Sequence, residues 1–94
     1  MKDRLAAKRA AESFLSSEFR GWRIAIEPDE SKGVVFRLFD AAGKPRHVLG
    51  MRWDLLVSYA TPEDLQRFLA RLGVRETLGD QGQSAAWLTP TGWE

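Results

Sequence analysis

Val34-Val35-Phe36-Arg37-Leu38-Phe39-Asp40-Ala41-Ala42-Gly43-Lys44-Pro45-Arg46-His47-Val48-Leu49-Gly50-Met51-Arg52-Trp53 is the stretch that decides the fold. Val34 to Phe39 is apolar on both faces, which puts it inside a sheet rather than at its edge. Asp40 to Lys44 has the composition of a type I turn followed by a glycine bulge, the signature of an antiparallel hairpin. Arg46 to Trp53 is then the return strand, with His47, Leu49, Met51 and Trp53 on one face.

The pattern extends upstream. Trp22, Ile24 and Ile26 alternate with Arg23, Ala25 and Glu27, the period of a half-buried strand, and Pro28 to Gly33 reads as a hairpin loop. These segments form a three-stranded meander. Ahead of it, Asp3 to Phe19 is rich in alanine and free of glycine and proline, and Gly21 stands where a helix commonly ends. At 100° per residue, Ala7, Ala11, Phe14, Leu15 and Phe19 gather on one side of that helix. Lys8 and Glu12, four apart on the polar side, are expected to pair.

Downstream, Leu55-Leu56-Val57-Ser58-Tyr59 could continue the sheet or open a helix, and a fourth strand or an irregular crossover is the preferred reading. Thr61-Pro62-Glu63-Asp64 marks a helix start: a threonine cap, proline at the first helical position and two carboxylates in the first turn. Leu65, Phe68, Leu69 and Leu72 form its apolar stripe, and Gly73 ends it. Val74 to Leu78 and Ala85 to Thr89, on either side of the polar loop Gly79 to Ser84, suggest a second hairpin. Together these segments predict one α+β domain over residues 1–94. It comprises a three- to four-stranded antiparallel meander with two helices on one face, in the order α-β-β-β-α, and a C-terminal β-hairpin.

Composition limits the function. The 94 residues hold no cysteine, one histidine and four tryptophans. Stability must therefore rest on packing, and cysteine absence suits a reducing, cytoplasmic setting. Fourteen basic against thirteen acidic residues leave a formal charge of +1, too little for a long-range field that draws the chain to nucleic acid. No apolar run approaches a membrane span, and Met1-Lys2-Asp3-Arg4 does not open a signal peptide. His47 follows a turn beside Arg46, with no motif that supplies an orienting acid and a nucleophile. Asp29-Glu30 and Glu63-Asp64 read as turn and helix-start residues rather than metal ligands. The expectation is a non-enzyme with no cofactor and no metal site.

Large aromatics point to binding instead. Trp22 and Trp53 fall on apolar strand faces and are expected in the core. Trp93, next to the chain's last residue, either folds back as a plug or stands out as an anchor. The leading expectation is a small protein-binding module, of the bacterial or phage-type adaptor or inhibitor kind. It would work through the apolar sheet face, the edge strands and the aromatic tail, with Trp93, Trp87, Phe39 and Val35 as contacts. Free strand edges also make a homodimer an expected arrangement.

Two resemblances bear on nucleic acid. The order helix, three strands, helix resembles double-stranded RNA-binding domains over about the first three quarters of the chain. Those domains grip the backbone with a lysine cluster at the second helix start, where this chain has Thr61-Pro62-Glu63-Asp64 and would repel phosphate. Arg67 to Gly92, including Leu72-Gly73-Val74-Arg75-Glu76 and Trp87-Leu88-Thr89-Pro90-Thr91-Gly92, is similar to the last helix and wing of bacterial winged-helix regulators. That likeness implies DNA contacts from Arg67, Arg71 and Arg75. The loop between its strands carries Asp80 and no basic residue, so nucleic acid is the disfavoured partner.

Overall fold

The computed structural model describes residues 3–81 and 85–93. Asp3 caps the first helix, α1 (Arg4–Glu18), by accepting the Leu5 N–H at 2.9 Å, and Phe19 and Gly21 close it, the glycine at φ 81°. Ala7, Ala10, Ala11, Phe14 and Leu15 are its buried face, close to the stripe that helical periodicity predicts. Lys8 and Glu12 do not form the expected ion pair; the pairs among the described residues are Arg37–Glu27, Arg46–Asp40, Arg52–Asp54 and Arg67–Asp64.

The meander is present as β1 (Arg23–Asp29), β2 (Gly33–Phe39) and β3 (Pro45–Arg52), paired antiparallel in sequence order. Asp40 organises the second hairpin: its carboxylate accepts the N–H groups of Ala42 and Lys44 at 3.0 and 2.9 Å. Gly43 takes φ 85°, and the β2–β3 register shifts between Leu38 and Phe39, as a glycine bulge requires. Ile24 and Ile26 face Leu38 and Phe36, and Phe36 faces Leu49, so these side chains share the side of the sheet that builds the core.

Beyond β3 the chain departs from expectation. Trp53 to Leu56 winds into one helical turn, α2 (Trp53–Leu56), instead of continuing the sheet as a fourth strand, and Val57 to Ala60 follows as irregular chain in the crossover. Adjacent Leu55 and Leu56 are both fully buried, which a strand with one solvated face could not achieve. Next comes α3 (Pro62–Arg71), capped as its sequence signals, with the Thr61 hydroxyl accepting the Asp64 N–H at 3.1 Å. Gly73, at φ 63°, breaks the chain direction, and the Thr77 N–H donates to its carbonyl at 3.0 Å.

Val74 to Leu78 is therefore not the first strand of a C-terminal hairpin but the start of a fourth helix, α4 (Val74–Gln81). Val74 and Leu78 are 1% and 0% exposed while Glu76 is exposed; a strand would have put Glu76 on the same face as both, inside the core. Of the expected loop, Gly79 to Gln81 belong to this helix, and residues 82–84 lie outside the described residues. The sheet continues as β4 (Ala85–Thr89) and β5 (Gly92–Trp93), which form the actual terminal hairpin.

The sheet thus has five strands in the order β1-β2-β3-β4-β5, with β4 parallel to β3, instead of an all-antiparallel meander. Parallel neighbours need a long crossover, and α2, α3 and α4 supply it. Four helices rather than two are present among the described residues, α1 lying beside α3 with the Gln66 amide donating to the Ala10 carbonyl at 3.0 Å. No helix among the described residues is long and apolar enough to cross a membrane.

The helical course of residues 74–81 has a measurable consequence. Leu78→Ala should lower the urea-unfolding free energy by about 2–5 kcal/mol, whereas Glu76→Ala should move it by no more than about 0.5 kcal/mol. Comparable losses from both variants would mean that the two side chains share a buried strand face.

Candidate functional site

The sheet separates two environments. On one side Val34, Phe36, Leu38, Leu49, Met51, Ala86 and Leu88 are almost wholly buried in a single cluster with the helices. On the other side Ala25, Val35, Phe39, Val48 and Trp87 are all half-buried. No described helix covers them. The pleat forces this division, because successive residues of a strand point to opposite faces.

Trp87 is the main feature of the open face. It lies opposite Gly50 of β3, and a β-carbon built on Gly50 would sit 2.5–2.6 Å from three atoms of the indole. Such contact is too close for any side chain, so glycine at position 50 is what lets the ring lie on the strand backbone. The Lys32 ammonium sits over the same ring, 4.0 Å from its centroid. At the far end of β2, the Arg23 guanidinium lies 4.8 Å from the Phe39 centroid. Both are cation–π contacts, each worth about 0.5–1 kcal/mol at exposed sites. A hollow of about 310 Å³ runs beside Phe39, Pro45 and Val48.

Lys32 is held in place by its turn. Asp29 accepts hydrogen bonds from the Ser31 N–H at 2.9 Å, the Ser31 hydroxyl at 2.8 Å and the Lys32 N–H at 3.4 Å. Those bonds, the Ser31 N–H first, stabilise the carboxylate and lower its pKa below the usual value, while the Lys32 charge adds a smaller push in the same direction. Trp53 fixes the turn from beneath: its indole N–H donates to the Asp29 carbonyl at 2.6 Å and its backbone N–H to the Lys32 carbonyl at 3.1 Å. Arg4 closes the arrangement, donating to the Glu30 carbonyl at 3.1 Å with its guanidinium over the Trp53 ring.

Of the four aromatic and aliphatic contacts expected from sequence, Val35, Phe39 and Trp87 come together on this face. Trp93 does not join them. Its register partner is Leu88, so it lies on the core side, partly buried against the cluster. Trp53 is 9% exposed and in the core, while Trp22 packs at its margin. Sequence reading passed over Gly50, Val48, Lys32 and Arg23. A glycine inside a strand pattern was the available signal for the first, since it marks a close backbone approach.

Arg67, Arg71 and Arg75 are divided between two helices. Arg67 pairs with Asp64 at 3.4 Å, Arg71 ends α3, and Arg75 lines a cleft of about 340 Å³ near Arg20, Glu18 and the Phe19–Trp22–His47 cluster. His47 stacks on Trp22 with ring centroids 5.8 Å apart and planes 14° from parallel. The wing strand that the DNA-binding likeness needed is helix α4 instead. No group of three or more acidic or histidine side chains suited to a metal occurs among the described residues. Compared with protein-family models, curated proteins and solved structures, the chain matches none.

Two outcomes follow from this geometry. Gly50→Val should lift Trp87 off β3, red-shift its fluorescence and cost about 1–3 kcal/mol in chemical denaturation. The lowered Asp29 pKa means that its carboxylate stabilises the turn at neutral pH and loses that effect as pH falls through the folded-state value. A carboxyl-carbon NMR titration should therefore show Asp29 titrating below the usual aspartate value. Lys32 side-chain shifts should follow the protonation of the Asp29 carboxylate in that acidic range.

Proposed function

We propose that this protein is a non-enzymatic protein-binding module that docks its partner on the open face of the sheet. The observation that carries the reading is Trp87, laid on Gly50 in a face where Val35, Val48 and Phe39 are also incompletely covered. A sheet face bearing such residues gains free energy when another element covers it, at roughly 25 cal/mol per Å² of apolar surface removed from water. Large aromatics held rigid by their own protein lose little entropy on binding and serve as anchors.

The charges favour a different protein over a second copy. Arg37 and Arg52 on the face are matched by Glu27 and Asp54, whereas Arg23 and Lys32 lie outside the ion pairs of the described residues, so a partner bringing its own carboxylates complements the face better than a second copy does. Strand addition is poorly served by β1, where Pro28 lacks a backbone donor. Trp93 has no part in docking on this reading, because it faces the core.

Immobilised protein should retain a specific partner from source-cell extract, identified by mass spectrometry and reproduced with that partner purified. Val48→Asp and Trp87→Ala should each weaken the purified interaction at least tenfold while leaving the circular-dichroism spectrum of a folded α+β protein. Arg71→Ala should leave it unchanged. A partner that binds Val48→Asp as well as it binds the parent protein would remove the open face from the function.

A further inference from the structure

We infer that the docking partner presents an acidic amphipathic helix of about three turns, lying diagonally across the open face. This inference rests on the protein-docking reading and adds the chemistry of what docks.

The argument begins with which charges are already matched. Arg37, Arg46 and Arg52 are engaged by Glu27, Asp40 and Asp54. Lys32 and Arg23 are not in an ion pair among the described residues, and each sits over an aromatic ring of the open face. These two cations, Lys32 with only the weaker pull of Asp29 in its own turn, therefore mark the two aromatic ends of one apolar line. Trp87 lies in the row of Gly50 and Val35; Val48 lies in the next row on the same face, opposite Arg37; Phe39 lies in the row beyond. Trp87, Val48 and Phe39 thus form a diagonal with a cation at either end.

The register sets its length. Phe39 is four residues along β2 from Val35, and Trp87 is two strands from β2. With about 3.3 Å per residue and about 4.8 Å between strands, the diagonal measures roughly 16 Å. A helix rising about 1.5 Å per residue covers that span in about eleven residues, which bring the side chain back to within about 20° of the same face. Two carboxylates so spaced would reach Arg23 and Lys32 together, and apolar side chains between them would rest on Val48 and in the hollow beside Phe39 and Pro45. A helix is the occupant suited to a sheet face, as the four helices on the opposite side illustrate, whereas extended segments pair at edges.

The test uses capped alanine–glutamine peptides with two leucines on one helical face, titrated into labelled protein while amide shifts are followed. One carries two glutamates about eleven residues apart; a second places them about eight apart, which moves one off the common face; a third carries lysines in place of the glutamates. The first should shift the amides of Val35, Val48 and Gly50 and bind at least tenfold more tightly than the others. Arg23→Glu combined with Lys32→Glu should weaken it at least tenfold and make the lysine peptide the better ligand. Equal binding of all three, or binding of none, would overturn the acidic helix while leaving the docking reading to its own partner-capture experiment. Tighter binding of oligothymidylate to the same amides would overturn both readings in favour of nucleic acid. Concentration-dependent dimerisation in sedimentation that Val48→Asp abolishes would assign the face to a second copy and overturn the helix.

Discussion

The contact between Trp87 and the bare backbone of Gly50 is possible only because β3 serves two surfaces at once. Its neighbours Leu49 and Met51 are fully buried on the core side, so the strand is pinned from beneath and cannot recede from the indole. Position 50 must then lack a side chain for the ring to lie flat. The same strand pairs antiparallel with β2 and parallel with β4, and so joins the meander to the helical crossover. Core, topology and open face all meet in these few residues.

The meander's first turn depends on a different set of contacts. Trp53 begins α2, yet its indole and backbone N–H groups bind the carbonyls of Asp29 and Lys32, and its ring carries Arg4 of α1. One buried side chain thereby ties the first helix, the β1–β2 turn and the end of β3. Lys32 can hold its ammonium over Trp87 because that turn is braced from below and capped by Asp29. Local hydrogen bonding is thus converted into the placement of charge on the open face.

Much of the fold was legible because its signals are local. The Asp40-to-Lys44 bulge, the Thr61-Pro62 cap and the alanine stripe of α1 each depend on residues within a few positions of one another. The misread segments share a different property. Val74 to Leu78 contains apolar residues at spacings compatible with a strand or a helix, and only the requirement that Glu76 stay out of the core separates the two. Leu55 and Leu56 are ambiguous for the same reason. The open face was legible in part: Val35, Phe39 and Trp87, singled out from the sequence, lie together on it, while the cations over two of them were not foreseen, since Lys32 and Trp87 are far apart in the chain.

By itself the sequence determined the α+β class, the three-stranded meander with its bulged hairpin, and the start of the helix at Pro62, because short-range sterics and capping bonds specify each of them. Tertiary structure alone decided that β4 enters parallel beside β3, that Trp93 faces inward, and that Trp87 lies on Gly50 under Lys32. Those outcomes depend on which strand the crossover delivers to which neighbour. Register then assigns every side chain of that strand to one face or the other, and no local pattern carries that information.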